Sequence, residues 1–256
     1  MRLSLFLLFV ASPAFAKPFA EVTEEDVAPK SEILASAAGG ELLPWSVAAR
    51  HVREGLLLKT YGGYDTATST PMMIGSAELT VLKRLTFRAL ATNNDTSVAL
   101  KPTIGMLYDV LLEEDYGLDL AVGGDYEFEG WNHLPALVTH VAAATTAGET
   151  RLQANAAFGL ATQGGERYGD LRLSGLHPVA QQLYAGLDTR ARIDLERSMP
   201  EPVGELDWDV QAGPIATLAL GRFALSATGG VSAYKMRSRD TSHVGAMGAL
   251  GLGAAF

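Results

Sequence analysis

The residues able to do chemistry in this chain recur at every second position. Over 182–195, Asp188, Arg190, Arg192 and Asp194 alternate with Leu187, Thr189, Ala191, Ile193 and Leu195. Over 117–128, Asp119, Asp125 and Glu127 alternate with Leu118, Leu120, Val122 and Tyr126. The same separation holds for Lys59 and Asp65 in 55–65, Lys101 and Asp109 in 98–110, Asp170 and Arg172 in 168–177, and Asp207 and Asp209 in 206–218. In each segment every later charge keeps the phase set by the first, at odds of about 1 in 500 for random placement. Acids and bases gathered on one face can tie neighbouring strands together, or line a wet passage and sort solutes by charge.

Reaction chemistry finds little support. There is no G-x-S-x-G elbow, phosphate loop or H-E-x-x-H motif, and there is no cysteine. Gly248, Gly251 and Gly253 have the spacing of a dinucleotide turn, but nothing after them can form the helix that turn needs. The five histidines, His51, His133, His140, His177 and His243, are far apart and read as structural or loop residues. Ser242 and His243 are adjacent, so on a strand their side chains diverge. No catalytic, cofactor-binding or metal-ligating residue is expected. The net charge of −9 also argues against a nucleic-acid partner, which needs clustered Lys and Arg.

The first residues set the compartment. Residues 1–16 carry Arg2, an apolar run from Leu3 to Val10, Pro13 and the small-x-small triplet Ala14-Phe15-Ala16. This is the layout of a secretory signal peptide, with cleavage expected after Ala16. Residues 17–54 open with Glu21, Glu24, Glu25 and Asp26. Ser31 can cap a short helix over 31–38 that Gly39-Gly40 would stop. This segment reads as a periplasmic lead, with a plug entering the lumen as the alternative.

Beyond residue 16 no apolar stretch is long enough for a membrane helix, although 48% of the chain is hydrophobic. Alternation uses that surface instead. About 12 strands are expected between Gly55 and Phe256, each near the 9–11 residues of a tilted membrane-crossing strand. Period two cannot by itself say which face is inside. A Lys or Arg in mid-bilayer on the lipid face costs about 2–4 kcal/mol, which explains strict separation if lipid lies outside. Aromatic residues near strand ends fit interfacial girdles: Tyr64, Tyr126, Phe128, Trp131, Trp208 and Tyr234 at one end, Tyr108, Phe223 and Phe256 at the other. The fold expected for 55–256 is therefore all-β: a closed antiparallel transmembrane β-barrel, an up-and-down meander. Connections 66–73, 93–97, 129–133, 163–167, 196–205 and 235–242 face outward. Pro102, Pro135 and Pro214 should mark rims or bulges. Segment 134–146 is apolar on both faces, and the phase of His140 stays open.

A signal peptide, alternating strands throughout and the ending LGLGAAF resemble a Gram-negative outer-membrane β-barrel protein. The resemblance implies the fold and an outer-membrane location. It also implies that the last strand, with Phe256, resembles the signal read by the barrel-assembly machinery. Outer-membrane lipid and that machinery are the expected partners, with small solutes or ions beside them. The inferred lumen lining is Glu78, Arg88, Lys101, Asp119, Asp125, Arg151, Asn155, Asp170, Arg172, Asp188, Arg190, Arg192, Asp194, Asp207 and Asp209. One reading is a narrow passive channel with a mixed-charge lumen. The other is a closed structural or interaction barrel with a salt-bridged interior. A membrane-embedded lipid-modifying enzyme is the least favoured.

Overall fold

The computed structural model describes residues 55–82, 84–92, 101–128, 135–162, 167–195, 206–236 and 241–256. The signal peptide, the 17–54 segment with its 31–38 helix, and Trp131 lie outside these residues. Twelve strands follow in order: β1 Gly55–Asp65, β2 Thr70–Val81, β3 Leu85–Thr92, β4 Lys101–Leu111, β5 Asp119–Glu127, β6 Ala136–Ala147, β7 Thr150–Ala161, β8 Arg167–Ala180, β9 Leu183–Asp194, β10 Leu206–Leu220, β11 Phe223–Met236 and β12 Ser242–Ala255. Each pairs antiparallel with its sequence neighbours. β1 also pairs with β12, from Leu57↔Ala255 to Asp65↔Met247, so the meander closes into a barrel. Closure leaves no strand edge unpaired, the condition for a sheet in hydrocarbon.

Local chemistry shapes one end of the barrel. The β6–β7 and β10–β11 connections are two-residue hairpins carrying Gly148 at φ 63° and Gly221 at φ 64°. Such turns need positive φ, which glycine adopts without strain. The β4–β5 connection instead forms α1, Glu113–Tyr116, stopped by Gly117 at φ 70°. This turn displaces the start of β5 from the expected 117 to Asp119. The end with these tight connections is periplasmic in barrels of this class.

The two faces of the sheet are inverted relative to a water-soluble protein. Leu187 is 65% exposed and Leu250 70%, while Arg190 is 2% exposed and Asp119 2%. Outward positions are mostly apolar, with threonines such as Thr60 and Thr139 among them, and the charges between the rims turn into the closed interior. No second sheet or helix layer covers the outward leucines among the described residues. A continuous apolar surface of this extent is what lipid requires and water penalises.

The structure settles the ambiguous strand. In β6 Leu137, Thr139 and Val141 point outward, whereas Ala136, Val138, Ala142 and Ala144 are buried inside, which places His140 in the lumen. Three bulges lie near strand ends: between Asp109 and Leu111, Pro178 and Ala180, and Leu206 and Trp208. Pro102 is the second residue of β4, and Pro135 precedes β6. Pro214 departs from the expectation, because it sits well inside β10 with no shift of register. Pairing to β11 resumes at Ile215↔Thr228, and the Thr228 hydroxyl donates to the Pro214 carbonyl at 3.3 Å. Tyr234 also departs, since it shares the inward phase of Ser226, Thr228 and Ser232. It is 7% exposed and stacks on His243 rather than joining an outer girdle.

Candidate functional site

The site is the lumen, built by one face of every strand. Ten of the residues expected there are buried: Glu78, Arg88, Asp119, Asp125, Arg151, Asn155, Arg172, Asp188, Arg190 and Asp209. Asp170, Arg192 and Asp194 are half-buried on the same faces of β8 and β9. Lys101 pairs through its backbone with Thr92, and its side chain lies outside what the structure describes. Asp207 does not belong with them. The Leu206–Trp208 bulge shifts it out of the inward series, and at the rim it pairs with Lys235 at 3.4 Å, both about a third exposed. Lys59, Asp65, Asp109, Glu127 and His140 also lie on the inner face. All but His140 were legible by the same parity as their neighbours.

The charges form short chains of pairs within strands, between neighbours and, as for Arg88 and Asp125, over an intervening strand. Lys59 Nζ meets Glu78 Oε1 at 2.7 Å between β1 and β2. Arg88 on β3 reaches Asp125 on β5, donating from Nε to Oδ1 at 2.8 Å and also from Nη2 to Oδ2. His140 Nε2 lies 2.8 Å from the same Oδ2. Gly105 on β4 makes this bridge possible, because a Cβ there would fall 1.8 Å from Asp125 Oδ1. On the facing wall Arg172 Nε donates to Asp170 Oδ1 at 3.0 Å, and Arg190 Nη2 lies 2.8 Å from Asp170 Oδ2. Arg172 and Arg190 are direct cross-strand partners. That like-charge pairing is unfavourable alone, and the shared Asp170 offsets it. The Tyr168 hydroxyl donates to Glu127 at 3.0 Å, while Arg192 covers the Tyr168 ring at 4.2 Å. At the rim opposite the tight turns, Asp65 accepts hydrogen bonds from Ser232 at 2.6 Å and from Gln211 at 3.5 Å.

A polar knot ties the β4–β5 turn to the β6–β7 turn at the end with the tight connections. Arg151 donates to Asp119 at 2.7 Å and to Glu113 of α1. The Glu113 N–H donates to Asp119 at 2.6 Å, and the Thr146 N–H donates to Glu113 at 2.5 Å. Partial burial would raise the Glu113 carboxyl pKa. The Arg151 charge and the Thr146 hydrogen bonds outweigh it and hold that carboxyl below its ordinary range.

Between the two charged walls lies a cavity of about 130 Å³, bounded by Lys59, Glu78, Arg88, Asp125, Arg172 and Arg190 among others. Ser76 and Asn155 also face it, and Ser76 Oγ and Asn155 Oδ1 are buried without a hydrogen-bond partner in the protein. Arg190 is the largest of the fully buried side chains. No cluster of three potential metal ligands occurs among the described residues. Ser242 is exposed and His243 turns inward, so that pair does not converge.

No protein-family model and no curated protein matches the sequence. Solved structures do match the fold. The NanC porin aligns over 77% of this chain and 98% of its own, with a TM-score of 0.57 at 8% identity. The fold is that of an outer-membrane β-barrel. The KdgM porin covers 78% of this chain and 99% of its own (TM-score 0.52, 6% identity). An outer-membrane channel from Pseudomonas putida F1 covers 84% and 100% (TM-score 0.52, 11% identity). Identities this low speak for shared architecture and leave the lumen chemistry to be read from this chain.

Proposed function

We propose that this barrel is a narrow, water-filled passive channel for small hydrophilic solutes or ions, with a lumen carrying both signs of charge. The observation that carries the reading is the central cavity of about 130 Å³, walled by ionised side chains. A water occupies roughly 30 Å³ of liquid, so the space suits a few waters. Buried polar atoms almost always find a partner, and water or a passing solute is the available one for Ser76 Oγ and Asn155 Oδ1. A barrel tied shut by its own side chains would fill this space. The ion pairs run between residues that bound the cavity, so both signs of charge face it and set a field across it.

Planar-bilayer recordings on the refolded full chain test the proposal. The wild type gives resolved current steps. Arg190→Glu, which puts an acid at the most buried lumen cation, shifts the reversal potential toward cations. If neither the wild type nor an Arg190→Ala variant passes current above bare lipid, the barrel is closed and the proposal fails.

A further inference from the structure

The cavity stops short of the periplasmic end, and what lies below it is mostly apolar. Leu57 on β1 packs with Ala219 on β10 and Ala224 on β11, and Tyr184 on β9 and Ala255 on β12 pack against them. Tyr184 also meets Leu176 on β8 and Ile215 on β10. Across the lumen Leu107 on β4, Ala121 on β5, and Ala142 and Ala144 on β6 form a second cluster. The hydroxyls at this level are spent on each other: Thr80 pairs with Thr86 at 3.1 Å and Thr217 with Ser226 at 3.2 Å. None of these residues lines the cavity.

On β1, β4 and β6 the layer follows the charged belt by one inward position, and on β8 and β10 Leu176 and Ile215 follow Ser174 and Gly213, the partners of Asp188. Leu57 follows Lys59 down β1, Leu107 follows Gly105 down β4, and Ala142 follows His140 down β6. Leu57, Leu107, Leu176 and Ile215 are each 2–3% exposed, so the inner wall is closed on itself here. Below it, α1 and the Arg151 knot hold the β4–β5 turn to the β6–β7 turn. The lumen is thus stratified, with ionised groups and a void above and a largely apolar layer beneath, whose buried polar groups are the two hydroxyl pairs and Gln153 opposite Ala144.

We infer that this apolar layer, rather than the charged belt, limits conduction through the barrel. The inference rests on the channel reading. A hydrated ion passing a narrow apolar ring must shed water without gaining a polar partner, and such constrictions gate by dewetting. The belt selects by charge, and the layer decides how often anything charged gets through. Small uncharged solutes avoid most of that penalty and pass in preference to ions.

Leu176→Ser and Ile215→Ser in the full chain test this. Each should raise single-channel conductance roughly threefold or more, and by more than Arg190→Ala, although that change removes a larger side chain. If the serine variants conduct like the wild type while Arg190→Ala conducts better, the belt is the limit and the inference falls, leaving the channel reading intact. If neither the wild type nor Arg190→Ala conducts, the channel reading fails and this inference with it, whatever the serine variants do. Heat-dependent migration on electrophoresis checks that each variant folds. Should the serine variants not fold, thiol access decides, because the chain has no native cysteine. A charged, membrane-impermeant thiol reagent should modify Ser76→Cys in the cavity at least about tenfold faster than Ala142→Cys in the layer. Equal rates overturn the inference.

Discussion

Replacing Leu187 by arginine separates lipid from water at the outer face. Leu187 is the fifth residue of β9, is 65% exposed, and has Gly175 and Pro214 as its cross-strand partners. An arginine there has room, no acid beside it and, if the barrel sits in a bilayer, hydrocarbon around it. The expected loss is about 2–4 kcal/mol near the midplane. That corresponds to a roughly 30- to 700-fold smaller folding constant. On a water-facing surface the same change would stay within about 0.5 kcal/mol. Val244, 70% exposed and third in β12 near the opposite rim, supplies the depth control. There an arginine reaches interfacial water and costs about 0–1 kcal/mol. Denaturant unfolding and refolding in lipid vesicles measures both. A Leu187→Arg protein within about 0.5 kcal/mol of wild type, or an equal cost at Val244, would show that the outward face does not meet hydrocarbon.

Gly105→Ala and Glu113→Gln probe the lumen side, with Gly75→Ala on the outward face of β2 as a control. Gly105→Ala drives a methyl into Asp125 Oδ1 and to within 2.6 Å of the Gly124 carbonyl, so it should cost about 1–3 kcal/mol. Gly75→Ala, with nothing within 4 Å, should be neutral within about 0.5 kcal/mol, and equal effects in vesicle unfolding would contradict the Arg88–Asp125 bridge over β4. Glu113 has a lowered carboxyl pKa, so its contribution is complete above the ordinary carboxylate pKa and is lost as pH falls through the lower folded value. Wild type should therefore lose stability more steeply than Glu113→Gln as pH falls through and below the ordinary carboxylate range; parallel curves would remove Glu113 from the knot.

Much of the barrel was legible because the key signal is local. Parity along a strand needs only the neighbouring residues, and the cost of a charge in lipid enforces it residue by residue. Segment 183–194 shows this directly: its inward series Tyr184, Gly186, Asp188, Arg190 and Arg192 follows from counting by two. Where the local rule has no contrast to act on, the reading stops. The β6 strand is apolar on both faces, and only its pairing to Asp119–Glu127 and Thr150–Ala161 turns His140 inward. Asp207 escaped for a related reason, since one extra residue at a bulge resets the count, and nothing in the surrounding composition marks the insertion.

The sequence by itself determined a strand-built barrel of about twelve strands, its apolar face and the set of charges on the opposite one, because these follow from period two and a fixed desolvation cost. Only the tertiary structure decided which charges meet, that Gly105 lets Arg88 reach Asp125, and that an apolar layer lies beneath the charged belt. The physical reason is register. The depth of a side chain depends on the stagger accumulated strand by strand around the closed sheet, and no single segment carries that sum.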